Sequence, residues 1–170
     1  MQRQPAKTDE WYTPAEAVEV IVPYLKGFKR VWCPFDLDSS NFVKVLKSHG
    51  FEVINTHIFQ GDDFLEIDPP ECDCIVSNPP YSLKQQILEK LFEIGKPFAM
   101  LMNVSGLYDS RRRFDLFKNN PVENLYIYPR VKFYNDENQL ETSSPTYQSA
   151  YVCKGLLDSQ IGLVEMKLKK

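Results

Sequence analysis

The residues Asn78, Pro79, Pro80 and Tyr81 follow directly after a short apolar run at positions 74–77. An apolar run that stops at such a turn is typical of a strand buried inside a parallel sheet. Pro79 fixes its own φ and holds Asn78 in an extended conformation, so the chain leaves the strand along one path. The feature therefore predicts an open α/β sheet with Asn78 and Tyr81 at its carboxyl edge, where such sheets bind ligands.

This turn is rich in hydrogen-bond acceptors. Its prolines have no N–H group, so its carbonyl oxygens are free to accept hydrogen bonds from a ligand. An exocyclic amine on adenine is a poor nucleophile because its lone pair is delocalised into the ring. If both amine N–H groups donate hydrogen bonds, one to the Asn78 amide oxygen and one to the Pro79 carbonyl, the nitrogen is favoured as a pyramidal centre with a usable lone pair. Tyr81 is placed to hold the base by stacking. The alternative is a proline-stiffened loop without a chemical role.

The turn resembles the Asn/Asp-Pro-Pro-aromatic motif of amino-group methyltransferases that use S-adenosylmethionine, above all the N6-adenine DNA methyltransferases. The resemblance extends from Trp11 to about Lys154 and is closest to small enzymes of phage or prophage type. It implies S-adenosylmethionine as cofactor and DNA as the methylated partner. RNA bases and protein glutamine are alternative substrates, and a non-catalytic nucleic-acid-binding protein that kept the fold is an alternative of another class. The implied catalytic residues are Asn78, Pro79, Pro80 and Tyr81.

Predicted strands and helices alternate along most of the chain. Strands are expected at residues 30–33, 51–55, 73–77, 98–102, 124–128, 148–154 and 161–169, with a further strand weakly indicated between 59 and 71. Helices are expected at 13–22, 40–49, 82–94 and 110–119. This order predicts an α/β fold, with a mostly parallel sheet and helices on both faces, and with the last strands closing one edge partly antiparallel. It looks like the Rossmann-like methyltransferase fold, as a single domain over residues 1–170 without a separate target-recognition domain.

Several residues are predicted to begin or end these helices. Thr13 and Glu16 have capping-box spacing around Pro14, and Ser82 and Gln85 have the same spacing before the third helix. Pro23 predicts a kink or an early end near position 22. The remaining signals are Ser39 or Ser40 as the cap of the second helix, with Gly50 and Gly95 as helix ends.

The resemblance also implies a cofactor pocket. Tyr12 and Thr13 resemble a segment that contacts the methionine part of the cofactor, although an N-cap alone also explains Thr13. In the loop after the first strand, Pro34 and Phe35 match the family, whereas a cysteine replaces its acidic residue and Leu37 and Ser39 replace its glycines. Asp36 or Asp38 is then the candidate acceptor for the methionine ammonium group, or else a loop acid beside a helix N-terminus.

Asp63 and Phe64 are further cofactor candidates. Similar enzymes use an Asp-aromatic pair, in which the carboxylate accepts from the adenine amine of the cofactor and the ring packs against adenine. A Gly-Asp turn followed by a core phenylalanine is the alternative interpretation.

Two clusters suit nucleic acid. Arg111, Arg112 and Arg113 are candidates for phosphate contact, and Phe133 and Tyr134 are candidates for base stacking. The alternatives are a solvated helix face for the arginines and a core position for the aromatic residues.

Composition limits the partners. With a formal net charge of −3, the chain has no global attraction to nucleic acid, so binding must come from a local basic patch. No apolar stretch is long enough to span a bilayer, and the four cysteines lack zinc-site spacing, so reduced thiols in a cytoplasmic protein are expected. Without a target-recognition region, the protein is expected to have relaxed specificity or to read sequence through a partner or a homodimer.

Overall fold

The computed structural model describes residues 11–135, 147–168 and the backbone of 142–143. A mostly parallel sheet of seven strands runs through it, in the order β2-β1-β3-β4-β8-β5-β9, and β6 and β7 form a separate two-stranded ribbon. The strands are β1 Arg30–Cys33, β2 Glu52–Asn55, β3 Cys74–Ser77, β4 Phe98–Asn103, β5 Glu123–Tyr128, β6 Phe133–Tyr134, β7 Thr142–Ser143, β8 Ser149–Lys154 and β9 Ile161–Glu165. The α-helices are α1 Ala15–Glu19, α2 Asn41–Ser48, α3 Lys84–Ile94 and α4 Arg111–Asn119, and single 3-10 turns form at Val22–Leu25, Ile58–Gln60 and Tyr81–Leu83.

Helices cover both faces of the sheet. Successive strand residues point to opposite faces, so Val31 packs with α1 and α2 whereas Trp32 packs with α3 and α4. The central strands β3 and β4 are almost wholly buried, which explains the apolar runs at 74–76 and 98–102. The α/β class, the mostly parallel sheet and the helices on both faces are confirmed.

The C-terminal strands form one side of the sheet and are partly antiparallel, as the sequence predicts. β8 is antiparallel to both of its neighbours, β4 and β5, and lies between them. The edge is formed by β9, which runs parallel to β5. The weakly indicated strand between 59 and 71 does not form, because this stretch contains a 3-10 turn and a loop.

Both predicted capping boxes are wrong. Pro14 is the N-cap of α1 and Leu83 that of α3, and neither helix has a side-chain cap. The hydroxyl of Thr13 accepts a hydrogen bond from Asn78 instead, and the Gln85 amide donates to Glu89.

The other helix signals are confirmed. Ser40 caps α2 by accepting from the N–H of Phe42, and Gly95 follows α3 with a φ of +74°. As Pro23 predicts, α1 ends before it and the chain continues as a 3-10 turn.

In the part of the chain that the structure describes, no helix combines the length and the apolar character that crossing a bilayer requires.

Candidate functional site

The turn after β3 lies at the point where the order of the strands reverses. From β1 the chain moves outward to β2 and then returns to β3 on the opposite side of β1. The loops after β1 and β3 therefore leave the sheet side by side, and the crevice between them is the place where open α/β sheets bind ligands. Asp36, from the first loop, contacts Ser77, the last residue of β3.

The side chain of Asn78 is held in one orientation. Its Nδ2 donates to the carbonyl oxygen of Trp11 at 3.2 Å and to Oγ1 of Thr13 at 3.2 Å. A carbonyl oxygen only accepts, so the NH2 group must face Trp11 and Oδ1 must point the other way. Oδ1 is buried and has no hydrogen-bond partner among the described residues. Because buried polar atoms are nearly always paired, this oxygen is a strong candidate for ligand contact.

The two prolines shape the rest of the turn. Pro79 is buried and Pro80 is half-buried. The carbonyl of Pro80 accepts from the N–H of Leu83 and begins the 3-10 turn that leads into α3. Within the described residues, the Pro79 carbonyl accepts no backbone N–H, so it keeps its capacity to accept from a ligand.

Tyr81 is half-buried and stands beside an aromatic residue that the sequence did not single out. Its ring meets that of Tyr147 edge to face, with the centroids 5.9 Å apart and the planes at 78°. Burial and the neighbouring Tyr147 raise the pKa of the Tyr81 hydroxyl, although Ser149 nearby opposes the shift. Neither the Tyr81 hydroxyl nor that of Ser149 makes a hydrogen bond of normal geometry with a described residue. Tyr81 is therefore a neutral, oriented ring beside Asn78.

Asp36 is a buried connecting residue. Its carboxylate is only 6% exposed and accepts from the hydroxyls of Ser40, at 2.5 Å, and Ser77. Burial raises the pKa of this carboxyl to about 6, while the two hydroxyls lower it. The main-chain oxygen of Asp36 accepts from the side-chain amide of Asn55. These contacts show Asp36 tying the loops together, and its predicted contact with the cofactor ammonium stays a prediction.

Of the two phenylalanines that are cofactor candidates, Phe64 lies in the core and Phe35 is half-buried. Phe64 is only 2% exposed and packs against Trp32, with ring centroids 5.4 Å apart, so the core interpretation holds for it. Phe35 is half-buried, and its ring centroid lies 5.0 Å from that of Phe64. Pro34, which precedes it, is buried. Of these rings, Phe35 is the better placed for a ligand in the crevice.

Asp63 shapes the turn before Phe64. Its Oδ1 accepts from the N–H of Leu65 at 3.0 Å, and its main-chain oxygen accepts from the N–H groups of Glu66 and Ile67. The turn interpretation is therefore supported by the geometry. The residue is only half-buried, and its contact with a cofactor amine stays a prediction.

Tyr12 and Thr13 are brought to the turn after β3 by backbone contacts. Tyr12 exchanges two backbone hydrogen bonds with Tyr134, at 3.1 and 2.9 Å. The carbonyl of Thr13 accepts from the side-chain amide of Asn41 at 2.9 Å. The segment before α1 is thus fixed to β6 and to α2, and it places Thr13 against Asn78.

The three arginines of α4 have different roles. Arg111 is highly exposed and forms an ion pair with Asp115 at 2.8 Å. Arg112 donates two hydrogen bonds to Glu89 of α3, at 2.6 and 2.7 Å. Arg113 donates to the carbonyls of Leu107 and Gly106, both at 2.9 Å, and so holds the loop between β4 and α4. Arg111 is the one of the three that is best placed for phosphate contact.

Phe133 does not have the exposure that base stacking requires. It is fully buried and packs near Trp11, with ring centroids 6.3 Å apart, so the core alternative is the one that the structure supports. Tyr134 is half-buried and pairs with Tyr12 through its backbone.

Lys84 is a further residue near the turn that the sequence did not single out. Its Nζ donates to the carbonyl of Asn103, at the end of β4, at 2.7 Å. Burial lowers the pKa of its ammonium group, with a further contribution from Arg113. A lysine in the first turn of a helix gives no sequence signal for such a role.

In comparisons with known proteins, this chain matches no protein-family model and none of the curated proteins.

Proposed function

We propose that this protein transfers a methyl group from S-adenosylmethionine to an exocyclic amino group, and that its acceptor is the N6 amine of adenine in DNA. One observation carries the proposal: Asn78 Oδ1 is buried, lacks a partner among the described residues and has its direction fixed by Trp11 and Thr13. An oriented acceptor at the switch point of the sheet suits a ligand that presents N–H donors.

The amine is activated by acceptors alone. The two amine N–H groups would donate hydrogen bonds to Asn78 Oδ1 and to the Pro79 carbonyl, which favours a pyramidal nitrogen with an available lone pair. As its bond to the methyl carbon forms and the bond from that carbon to sulfur breaks, the nitrogen would lose one proton to water. Tyr81, oriented by Tyr147, holds the plane of the base. The rate then depends on positioning and on preorganised dipoles rather than on a covalent intermediate.

S-adenosylmethionine supplies a methyl group bonded to a positively charged sulfur. Two residues after β1 and β2 suit S-adenosylmethionine, because both are half-buried and so can meet a ligand. The ring of Phe35 could pack against the cofactor, and the carboxylate of Asp63 could accept from its adenine amine. Tyr12 and Thr13 complete the set of residues that would hold it. The mostly parallel sheet with one antiparallel strand near the C-terminus further supports a Rossmann-like methyltransferase fold.

DNA is the favoured acceptor molecule. A base within a duplex cannot reach a turn at a sheet edge, so the enzyme acts on single-stranded DNA or on a nucleotide flipped out of the duplex. Arg111 and Lys118 are exposed on α4 and are suited to phosphate contact. The described residues include no second domain for sequence recognition, which is consistent with relaxed specificity or with recognition through a dimer or another partner.

The direct test incubates the protein with S-adenosylmethionine labelled in its methyl group and, separately, with unmethylated DNA, RNA or a cell protein extract. The expected result is label in the N6 position of adenine in DNA, lost in Asn78→Ala. The matched control is Asn119→Ala, an exposed asparagine of α4, which should keep the activity. Label in RNA or protein alone would overturn the substrate assignment.

A non-catalytic nucleic-acid-binding protein is the second candidate. It is favoured by the loop after β1, where the family glycines are absent and the Asp36 carboxylate already accepts from Ser40 and Ser77. Titration calorimetry separates the two functions. Heat of binding with S-adenosylmethionine supports the enzyme, and DNA binding without cofactor binding supports this alternative.

A further inference from the structure

The residue that orients Asn78 is 65 positions away in sequence. Thr13 is 7% exposed, and its hydroxyl lies 3.2 Å from Asn78 Nδ2. Its position just before Pro14 favours helix capping, yet α1 has no side-chain cap. The hydroxyl is therefore directed at the catalytic turn rather than at its own helix.

The Trp11 carbonyl and the Thr13 hydroxyl together form what we term the amide clamp. The clamp is held from two sides, because Tyr12 between these residues pairs with Tyr134 and the Thr13 carbonyl accepts from Asn41. A clamp supported in this way keeps one side-chain orientation of Asn78 instead of letting the amide turn over.

The clamp also discriminates between an amide and a carboxylate. The Thr13 hydroxyl can rotate to donate, but the Trp11 carbonyl can only accept. A carboxylate at position 78 would place an oxygen 3.2 Å from the Trp11 oxygen, with no hydrogen between them. This part-buried pair of acceptors would then lack the hydrogen bond between them, which is costly.

We propose that Thr13 is a positioning residue, which fixes the Asn78 amide so that Oδ1 faces the incoming amine and, with the Trp11 carbonyl, makes position 78 selective for asparagine over aspartate. The kinetic consequence rests on the proposed function. The orientation of the amide does not, and it can be measured without any substrate.

The test compares Thr13→Val, which removes the hydroxyl at nearly constant shape, with Thr13→Ser, which keeps it. In ¹⁵N-resolved NMR, the Asn78 side-chain NH2 signals are assigned by their loss in Asn78→Ala. In Thr13→Val they should shift and exchange with water several-fold faster, whereas Thr13→Ser should resemble the wild type. In methyl transfer, Thr13→Val should lower kcat about fivefold with KM for DNA within about twofold, as expected for one lost neutral hydrogen bond. Thr13→Ser should stay within about twofold of the wild-type kcat.

The outcomes are separable. Unchanged Asn78 NH2 signals in Thr13→Val overturn the positioning role, whatever the activity, as do equal losses of kcat in Thr13→Val and Thr13→Ser. Absence of methyl transfer by the wild type to any acceptor overturns the proposed function, and the NMR comparison then decides the positioning role alone. If Thr13→Val does not fold, Thr13→Ala replaces it in both measurements.

Discussion

Ser77 donates a hydrogen bond to Asp36 Oδ2 and so joins the end of β3 to the loop after β1. Ser40, the N-cap of α2, donates to Oδ1 of the same carboxylate. One buried acid thus joins the loop after β1, the start of α2 and the end of β3 beneath the crevice. Because Asn78 follows Ser77 directly, these contacts also hold the strand end that carries Asn78. The amide clamp, in the segment before α1, holds the Asn78 side chain, whereas the Asp36 contacts hold its backbone.

The Asp36 carboxyl should make stability depend on pH. Burial raises its pKa from 3.8 to about 6, so between these values the folded state binds more protons than the unfolded state. Its stabilising contribution is complete below about pH 4 and is lost as pH rises through about 6. Asp36→Asn cannot ionise, so its free energy of unfolding relative to wild type should rise between pH 4 and 7, by up to about 3 kcal/mol.

Urea denaturation at a series of pH values measures this difference. Asp38→Asn changes an exposed acid of the same loop and should follow the wild type across the range. A constant difference between Asp36→Asn and wild type from pH 4 to 7 would show that the carboxyl does not titrate as its burial requires.

The elements that define this crevice are largely predictable from local sequence. Apolar runs such as residues 98–102 can be satisfied only by burial on both faces, and Gly95 ends α3 because it adopts a positive φ of +74°. The turn at Asn78 could be placed at the carboxyl end of a buried strand because an apolar run precedes it and the two prolines that follow restrict the backbone.

The contacts between distant segments could not be predicted in the same way. Thr13 and Ser82 have the spacing of helix caps, but a hydroxyl takes whichever partner the tertiary structure places nearby, and for Thr13 that partner is Asn78. Aromatic residues are equally ambiguous, since Phe133 and Tyr147 give the same local signal yet one is in the core and the other is beside Tyr81. Their roles depend on pairing that no short sequence window contains.

The arginines of α4 should separate stability from DNA binding. Arg113→Ala removes two hydrogen bonds to the carbonyls of Gly106 and Leu107 and should lower the free energy of unfolding by about 2 kcal/mol. Arg111→Ala removes only an exposed ion pair and should leave stability nearly unchanged, because such pairs contribute little.

The binding measurement for these variants is DNA affinity as a function of salt. If Arg111 contacts a phosphate, Arg111→Ala should reduce the slope of log K against log salt by about 1. An unchanged slope would remove Arg111 from the proposed DNA contact.

Phe35 and Phe64 touch each other but should respond differently to truncation. Phe64 is buried against Trp32, so Phe64→Ala should destabilise the protein by about 3 to 4 kcal/mol in urea denaturation. Phe35 is half-buried, so Phe35→Ala should cost less stability and should instead weaken S-adenosylmethionine binding in calorimetry. Equal cofactor affinity in Phe35→Ala and wild type would exclude this ring from the cofactor site.

The variant Asn78→Asp should be active only at pH values at which the aspartate is protonated. As a carboxylate it faces the Trp11 carbonyl without a hydrogen, so Asn78→Asp at pH 8 should have a kcat at least about tenfold below wild type. Once protonated, its O–H can donate to Trp11 while its other oxygen accepts from the amine, as the asparagine does. The ratio of its kcat to that of wild type should therefore rise as pH falls from 8 to 5. Asn78→Ala has no group to titrate and should show a constant low ratio, and a parallel profile for both variants would contradict the clamp.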